Sequence, residues 1–423
     1  MTKRREADHV TDSRNRNSVS LALRLPLHAD VLLLRSILWS DSAAREAWEQ
    51  WGLRTGDPKA YFQNEMMARK GLLPLISQAI RDNRITVDEN FSAYTRAAQL
   101  REQLRNEIFT DILKSVHLAM HNLDVDPLLI GGSAYAYSTY KDHALRHNHG
   151  IDLVVVPAEL TRARSALFKS NFRAVHSERA AVGLVDHFVH RSGLTLTMRS
   201  TLFAIPHVRC NLEAVLQRSH TICIEERSVR ILSPNDRLSH TLIETATSPS
   251  SHNLRWVCDS FKLLSHSSDR PNLLSLKESA GVNDALSLIA RLLDYLHQQL
   301  HAPVDPSLLQ ELLQQGEGQE RRERNFILSA GLRSRRSGIA FLKHASTIPQ
   351  LLPAAIGFAV LPSRQHLFYE SNGRRNVPVS YLLRAVSYPI RFVRQLGSAF
   401  RGWIAGSRQP RSKISDPPVD LMK

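Results

Sequence analysis

Cysteine is scarce in this chain: three in 423 residues, Cys210, Cys223 and Cys258, with none in a CxxC pair. Neither a disulfide framework nor a thiolate zinc site is indicated, and a reducing compartment fits. Long apolar runs are missing as well, since no stretch approaches the roughly 18 uncharged apolar residues of a membrane span. The first residues, "MTKRREADHVTDSRNRNS", are charged, with no apolar segment behind them of the signal-peptide kind. The expected location is the cytoplasm, without secretion by that route and without a membrane-spanning segment. Acids are the third shortage, 40 Asp and Glu against 55 Lys and Arg, for a net charge of +15. The shortage is local. Between Ser371 and Ser415 stand nine basic residues and no acidic one, so a partner of this segment should be anionic.

What the chain does have is ordinary for a globular protein: 43% apolar and 22% charged residues, and length enough for two domains. Residues 1–18 are polar and charged and read as a disordered tail. From 19 to 123 the pattern is helical; "EIFTDILKSVHLAMHNL" sets Ile108, Ile112, Leu113, Val116, Ala119 and Met120 on one face. Between 124 and 232 it turns to α/β. There "LLI" is a short strand and "GGSAYAYSTY" a turn opening a helix with Ser133 at the capping position. "IDLVVVP" is a second strand, "AELTRARSALFKSNF" a helix, and "LVDHFVH" with "LTLTMRS" a hairpin about "RSG". Residues 233–315 are helical again, 316–338 read as a linker, and 339–423 form a basic C-terminal region. In that region "SYLLRAVSYPIRFVRQLGSAFRGWI" interleaves arginines with Leu383, Val386, Ile390, Phe392, Phe400 and Trp403. It suits a helix packed on the body, a segment lying on an anionic membrane surface or, as the least favoured reading, a nucleic-acid contact.

Chemistry is suggested by the order strand, Gly-Gly-Ser, helix, strand with a carboxylate at its edge. Glycines at a helix start let phosphate oxygens reach backbone N–H groups where the helix dipole favours negative charge. A carboxylate on the next strand, Asp152, is a Mg²⁺ ligand candidate. Two further residues have open roles. Asp186 either approaches Asp152 or is a solvated edge acid; Arg146 either meets phosphate or pairs with an acid. His143, His147, His149, His187 and His190 are either loop and sheet histidines or a metal cluster.

From about Leu21 to Leu264 the chain resembles the uncharacterised bacterial nucleotidyltransferase family, a branch of the DNA polymerase β-like superfamily. The residues that carry the likeness are "LLIGGSAYAYSTY", Arg146 ahead of "IDLVVV", "DHFVH", "LSPNDRLSHTLIETA" and "LRWVCDSFKLL". The resemblance implies an α+β fold, a small mixed-sheet nucleotidyltransferase core between N- and C-terminal helical layers. It implies transfer of a nucleotidyl group from an NTP, with Mg²⁺, to an acceptor hydroxyl. Gly131, Gly132, Ser133 and Arg146 would hold the nucleotide and Asp152 would hold metal; Asp186, which shares a strand face with Phe188 and His190, is the candidate to replace the missing acid as a second catalytic carboxylate. The family's Asp-x-Asp strand is altered, however: Gly150 stands where the first acid belongs, and Thr195 and Thr197 stand where a third acid is expected. The expected activity is therefore weakened or lost. The rival expectations are an inactive nucleotide- or partner-binding relative and a peripheral membrane scaffold.

Overall fold

The computed structural model describes residues 25–316, apart from 65–66, 181–182, 204–207, 209, 248–253, 267–268 and 280. The expected tail at 1–18, nearly all of the 316–338 linker and the basic region at 339–423, with its arginine-rich segment, lie outside the described residues.

The N-terminal third is helical: α1 (His28–Leu38), α2 (Asp41–Thr55), α3 (Pro58–Asn64), α4 (Met67–Lys70), α5 (Leu73–Asp82) and the 33-residue α6 (Glu89–His121). Asp88 caps α6 by accepting the Phe91 N–H. Its buried face runs Phe109, Ile112, Leu113, Val116 and Met120. Ile108, expected on that face, is 57% exposed, because the stripe that meets the sheet is one position further round.

A seven-stranded sheet follows, built of β1 (Leu128–Ile130), β2 (Gly150–Val154), β3 (Phe172–Ala180), β4 (Gly183–His190), β5 (Thr195–Arg199), β6 (His220–Ile224) and β7 (Arg227–Ile231). Its order is β3-β4-β5-β2-β1-β7-β6. The pairs β2/β5 and β1/β7 are parallel and the others antiparallel, which makes the sheet mixed. Between the strands lie α7 (Gly131–Ser138), α8 (Leu160–Lys169) and α9 (Leu212–Arg218); after them come α10 (Pro234–Thr247), α11 (Arg255–Leu264), α12 (Val282–Leu300) and α13 (Pro306–Gly316). The class is α+β, a mixed sheet flanked by helices, as expected. Among the described residues no helix is long and apolar enough to cross a membrane.

Strand alternation divides the core in two. One face of the sheet, carrying Leu129, Ile151, Leu153, Leu196, Met198 and Ile231, packs on α6 and α8. The other carries Leu128, Ile130 and Val154 and joins a larger core with α1, α5 and α10–α13. On this second face the apolar cover is interrupted at Asp152, and a cleft opens there.

Candidate functional site

The floor of the cleft is the junction of β1 with α7. Ile130 ends the strand in extended conformation and Gly131 then takes φ +66°, a left-handed value that suits glycine. A Cβ on Gly131 would stand 3.3 Å from Asp152 Oδ2, so the helix start lies directly against the acid. Gly132 is just as confined: its Cβ would overlap Asn148 Oδ1 and come within 3.1 Å of the Arg146 guanidinium. A valine at 132 would therefore displace Arg146 whether or not a ligand binds. Ser133 does not cap the helix as expected. It lies inside the first turn, buried, and its hydroxyl donates to the Gly150 carbonyl (3.1 Å), tying α7 to β2.

One end of the cleft is an arginine corner. Arg146 donates from Nε to Asp259 Oδ1 (2.8 Å) and from a terminal nitrogen to Oδ2 (2.8 Å). Tyr140 also donates its hydroxyl to Asp259 (2.8 Å). Burial, the largest influence on Arg146, disfavours its charge, but the Asp259 carboxylate outweighs it and holds the guanidinium above its ordinary value. Of the two readings open for Arg146, the structure places it in an acid pair, though a buried one, while it still lines the cleft. Behind it, Arg255 donates to the His147 carbonyl (3.3 Å), and burial with the neighbouring Arg146 charge pushes it down to about 10.

The other end is looser. Asp152 on β2 is in register with Thr197 of β5, and Arg199 follows two residues later on the same face. The Arg199 guanidinium lies 3.8 Å from Asp152 Oδ1 and 3.3 Å from Glu244 Oε1 of α10. The Asp152 carboxyl is raised, chiefly by burial, with the Glu244 charge adding and Arg199 opposing. Gly150 is where the missing acid would stand, and the structure gives a reason for glycine. A Cβ there would overlap Thr195 Oγ1 and lie 2.5 Å from the Thr195 carbonyl oxygen on the parallel neighbour β5.

Asp186 is not brought to Asp152. In the β4/β5 register Asp186 opposes Met198, while His187 opposes Thr197, so Asp186 faces the opposite side of the sheet from Asp152. It is buried there and accepts from Arg164 Nε of α8 (2.7 Å). The histidines disperse likewise. His147 meets Glu102 (2.6 Å) and packs edge-on against His149, His143 stacks on Tyr137, His190 contacts Ser192 and His187 contacts Thr197. Among the described residues no group of three or more His, Cys, Asp or Glu side chains converges as a metal site. Asp152 and Glu244 are the carboxylates beside the cleft's glycine floor, and a guanidinium stands between them. This donor set does not fit a resident two-metal centre, which requires several oxygen ligands per ion.

Sequence reasoning passed over Arg199, Glu244 and His240. His240, on the same side of α10 as Glu244, is 5% exposed and lines the cleft, and its Nε2 has no hydrogen-bond partner. Burial pushes it down to about 4, so the ring is neutral at pH 7. The cleft holds about 210 Å³ and is lined further by Thr241, Thr245 and Trp256.

Residues 64–298, more than half of the chain, match the family described as "Uncharacterised nucleotidyltransferase". The chain belongs to this family. Its matched region includes the whole sheet and every residue of the cleft named above. No curated protein matches the chain. Among solved structures, an antigenic nucleotidyltransferase-like protein from Paracoccidioides brasiliensis is similar over 47% of this chain and 95% of its own, at 17% identity and a TM-score of 0.31. The polymerase core of TRAMP, a RNA surveillance complex, is similar over 64% of this chain and 70% of its own, at 16% identity and a TM-score of 0.24.

Proposed function

We propose that this member of the nucleotidyltransferase family takes up an NTP as its magnesium complex and transfers the nucleotidyl group to an acceptor hydroxyl weakly or not at all. The observation that carries this reading is the meeting of the Gly131-Gly132 helix start with Asp152 in one cleft. First-turn amides of a helix lack intrahelical partners and carry the positive end of its dipole, which suits phosphate oxygens. A second polar group supports a ligand there: His240, buried and neutral, with an unpartnered ring nitrogen on the same cleft.

Magnesium enters this reading as part of the substrate, because phosphate oxygens supply the ligands that the protein lacks. Asp152 contributes one carboxylate to that ion. The absence of an acid at Gly150 and the distance in topology of Asp186 leave the attacking hydroxyl without a second carboxylate, which accounts for weak transfer. Arg146 contributes as a buried positive wall fixed by Asp259, and Ser133 by holding α7 to β2.

The test is calorimetric titration of the full chain with each of the four common NTPs in Mg²⁺, together with labelled NTP offered to a cell lysate as acceptor source. Saturable binding of at least one NTP, weakened in Asp152→Asn, with labelling at background, is the expected result. Absence of binding for all four would overturn nucleotide uptake. Robust magnesium-dependent labelling by the unmodified chain would overturn the weakened activity.

A further inference from the structure

We infer that Arg199 is the built-in cation of this cleft: its guanidinium occupies the position between Asp152 and Glu244 that a divalent ion would otherwise take, and it keeps free metal out. Three oxygen-bearing side chains face that position from three elements. Asp152 comes from β2, Thr197 from its register partner on β5, and Glu244 from α10 across the cleft. Carboxylate and hydroxyl oxygens are the ligands a hard cation selects. The positive charge they receive instead is an arginine projected from the same strand as Thr197, two residues on and therefore on the same face.

The geometry separates this contact from a structural ion pair. A structural pair is bidentate and fully bonded, as Arg146 is with Asp259. Arg199 donates one hydrogen bond, from a terminal nitrogen to Glu244 Oε1 (3.3 Å), but lies 3.8 Å from Asp152, beyond hydrogen-bond reach, and its buried Nε has no partner. A guanidinium bonded once to Glu244 and reaching Asp152 by charge alone acts as a counter-ion shared between the two carboxylates. With Arg199 present, the two carboxylates keep a net charge of −1; without it they would present −2 to the cleft, enough to draw in a divalent ion.

This assignment rests on the nucleotide reading and deepens it: Arg199 stands on the Oδ1 side of Asp152, toward Glu244, and Oδ2, toward Gly131, is the oxygen left for the Mg²⁺ of an NTP. It is tested with metal alone, so nucleotide uptake and the role of Arg199 fail separately. Mn²⁺ is titrated into the full chain with no nucleotide present, and free Mn²⁺ is read by electron paramagnetic resonance. The unmodified chain and Arg199→Lys, which retains the charge, are expected to show no saturable site. Arg199→Met, which keeps the apolar stem, should gain one with a dissociation constant on the order of 10⁻³ to 10⁻⁴ M, the range of weak carboxylate sites. The double variant Arg199→Met with Asp152→Asn should lose it again. A folded Arg199→Met that gains no site would overturn the assignment. So would saturable Mn²⁺ binding to the unmodified chain that Asp152→Asn abolishes, and that result is readable even where Arg199→Met fails to fold.

Discussion

The cleft contains two arginine–carboxylate contacts of opposite character. At one end Arg146 and Asp259 are buried, bidentate and reinforced by Tyr140; at the other Arg199 makes a single hydrogen bond to Glu244 and meets Asp152 only at ion-pair distance. The first joins segments 113 residues apart and locks the β2 approach to α11. The second has slack in its geometry, a raised carboxyl and an unpartnered buried nitrogen. Packing constraints satisfied at one end allow unsatisfied groups to persist at the other. A protein keeps such groups where a ligand completes them, and their cost is met by the rest of the fold.

The sharpest way to break this contrast is Asp259→Ala. Removing one partner of a buried pair leaves Arg146 charged and largely desolvated without its carboxylate, at a cost of about 3–5 kcal/mol. Urea unfolding should show that loss, whereas a loss below about 1 kcal/mol would mean that the corner is no more structural than the Arg199 end.

A second comparison uses pH. His240 has its folded value lowered to about 4 from an ordinary 6.5, mainly by burial. Between these values the unfolded chain binds a proton that the folded chain does not. Stability from this group is therefore fully present above about pH 6.5 and lost as pH falls toward 4, by up to roughly 3 kcal/mol. His240→Leu should flatten the stability profile in that window. An unchanged slope would show that the histidine is not held neutral in the cleft.

Gly150→Asp is the third test, and here the packing at Gly150 argues against what family analogy implies. By family analogy a restored acid should raise magnesium affinity. In the fold, any side chain at 150 meets the Thr195 carbonyl, so the expected outcome is a loss of about 1–3 kcal/mol from overpacking and no metal gained. A stable variant with a new Mn²⁺ site would show that β2 and β5 can part.

These tests also mark what a sequence discloses. The strand, glycine turn, helix and second strand were legible because apolar runs and Gly-Gly are local signals, and the flanking helices because three-four spacing is local too. The facing of Asp186 was not legible: alternation groups it with Phe188, but only the β4/β5/β2 register decides which side of the sheet that group occupies, and one residue of slip reverses it. Arg199 was within reach, since Thr195, Thr197 and Arg199 alternate in "LTLTMRS". Its partner Glu244 was not, because the spacing of His240 and Glu244 marks one side of a helix without telling what that side meets. The pairing of Arg146 with Asp259 is likewise a product of tertiary structure alone.

The smallest expected effect is also the most discriminating between the two ends. Asp152 is held above its ordinary value, chiefly by burial, so the fold disfavours its charged form. The sign follows: a carboxyl raised on folding costs stability at neutral pH, and the cost disappears as pH falls below its unfolded value, where both states are protonated. Asp152→Asn removes the charge and keeps the shape. At pH 7 the variant should match or slightly exceed the unmodified chain, within about 0.5 kcal/mol, as for a substitution that disturbs no packing. Its advantage should shrink toward acid pH. Melting curves at pH 7 and pH 5 measure both quantities. A fall of several degrees at pH 7 would place Asp152 beside Asp259 as a structural acid. A neutral result, combined with weakened Mg·NTP binding, would leave an acid whose position in the cleft is explained by what it binds.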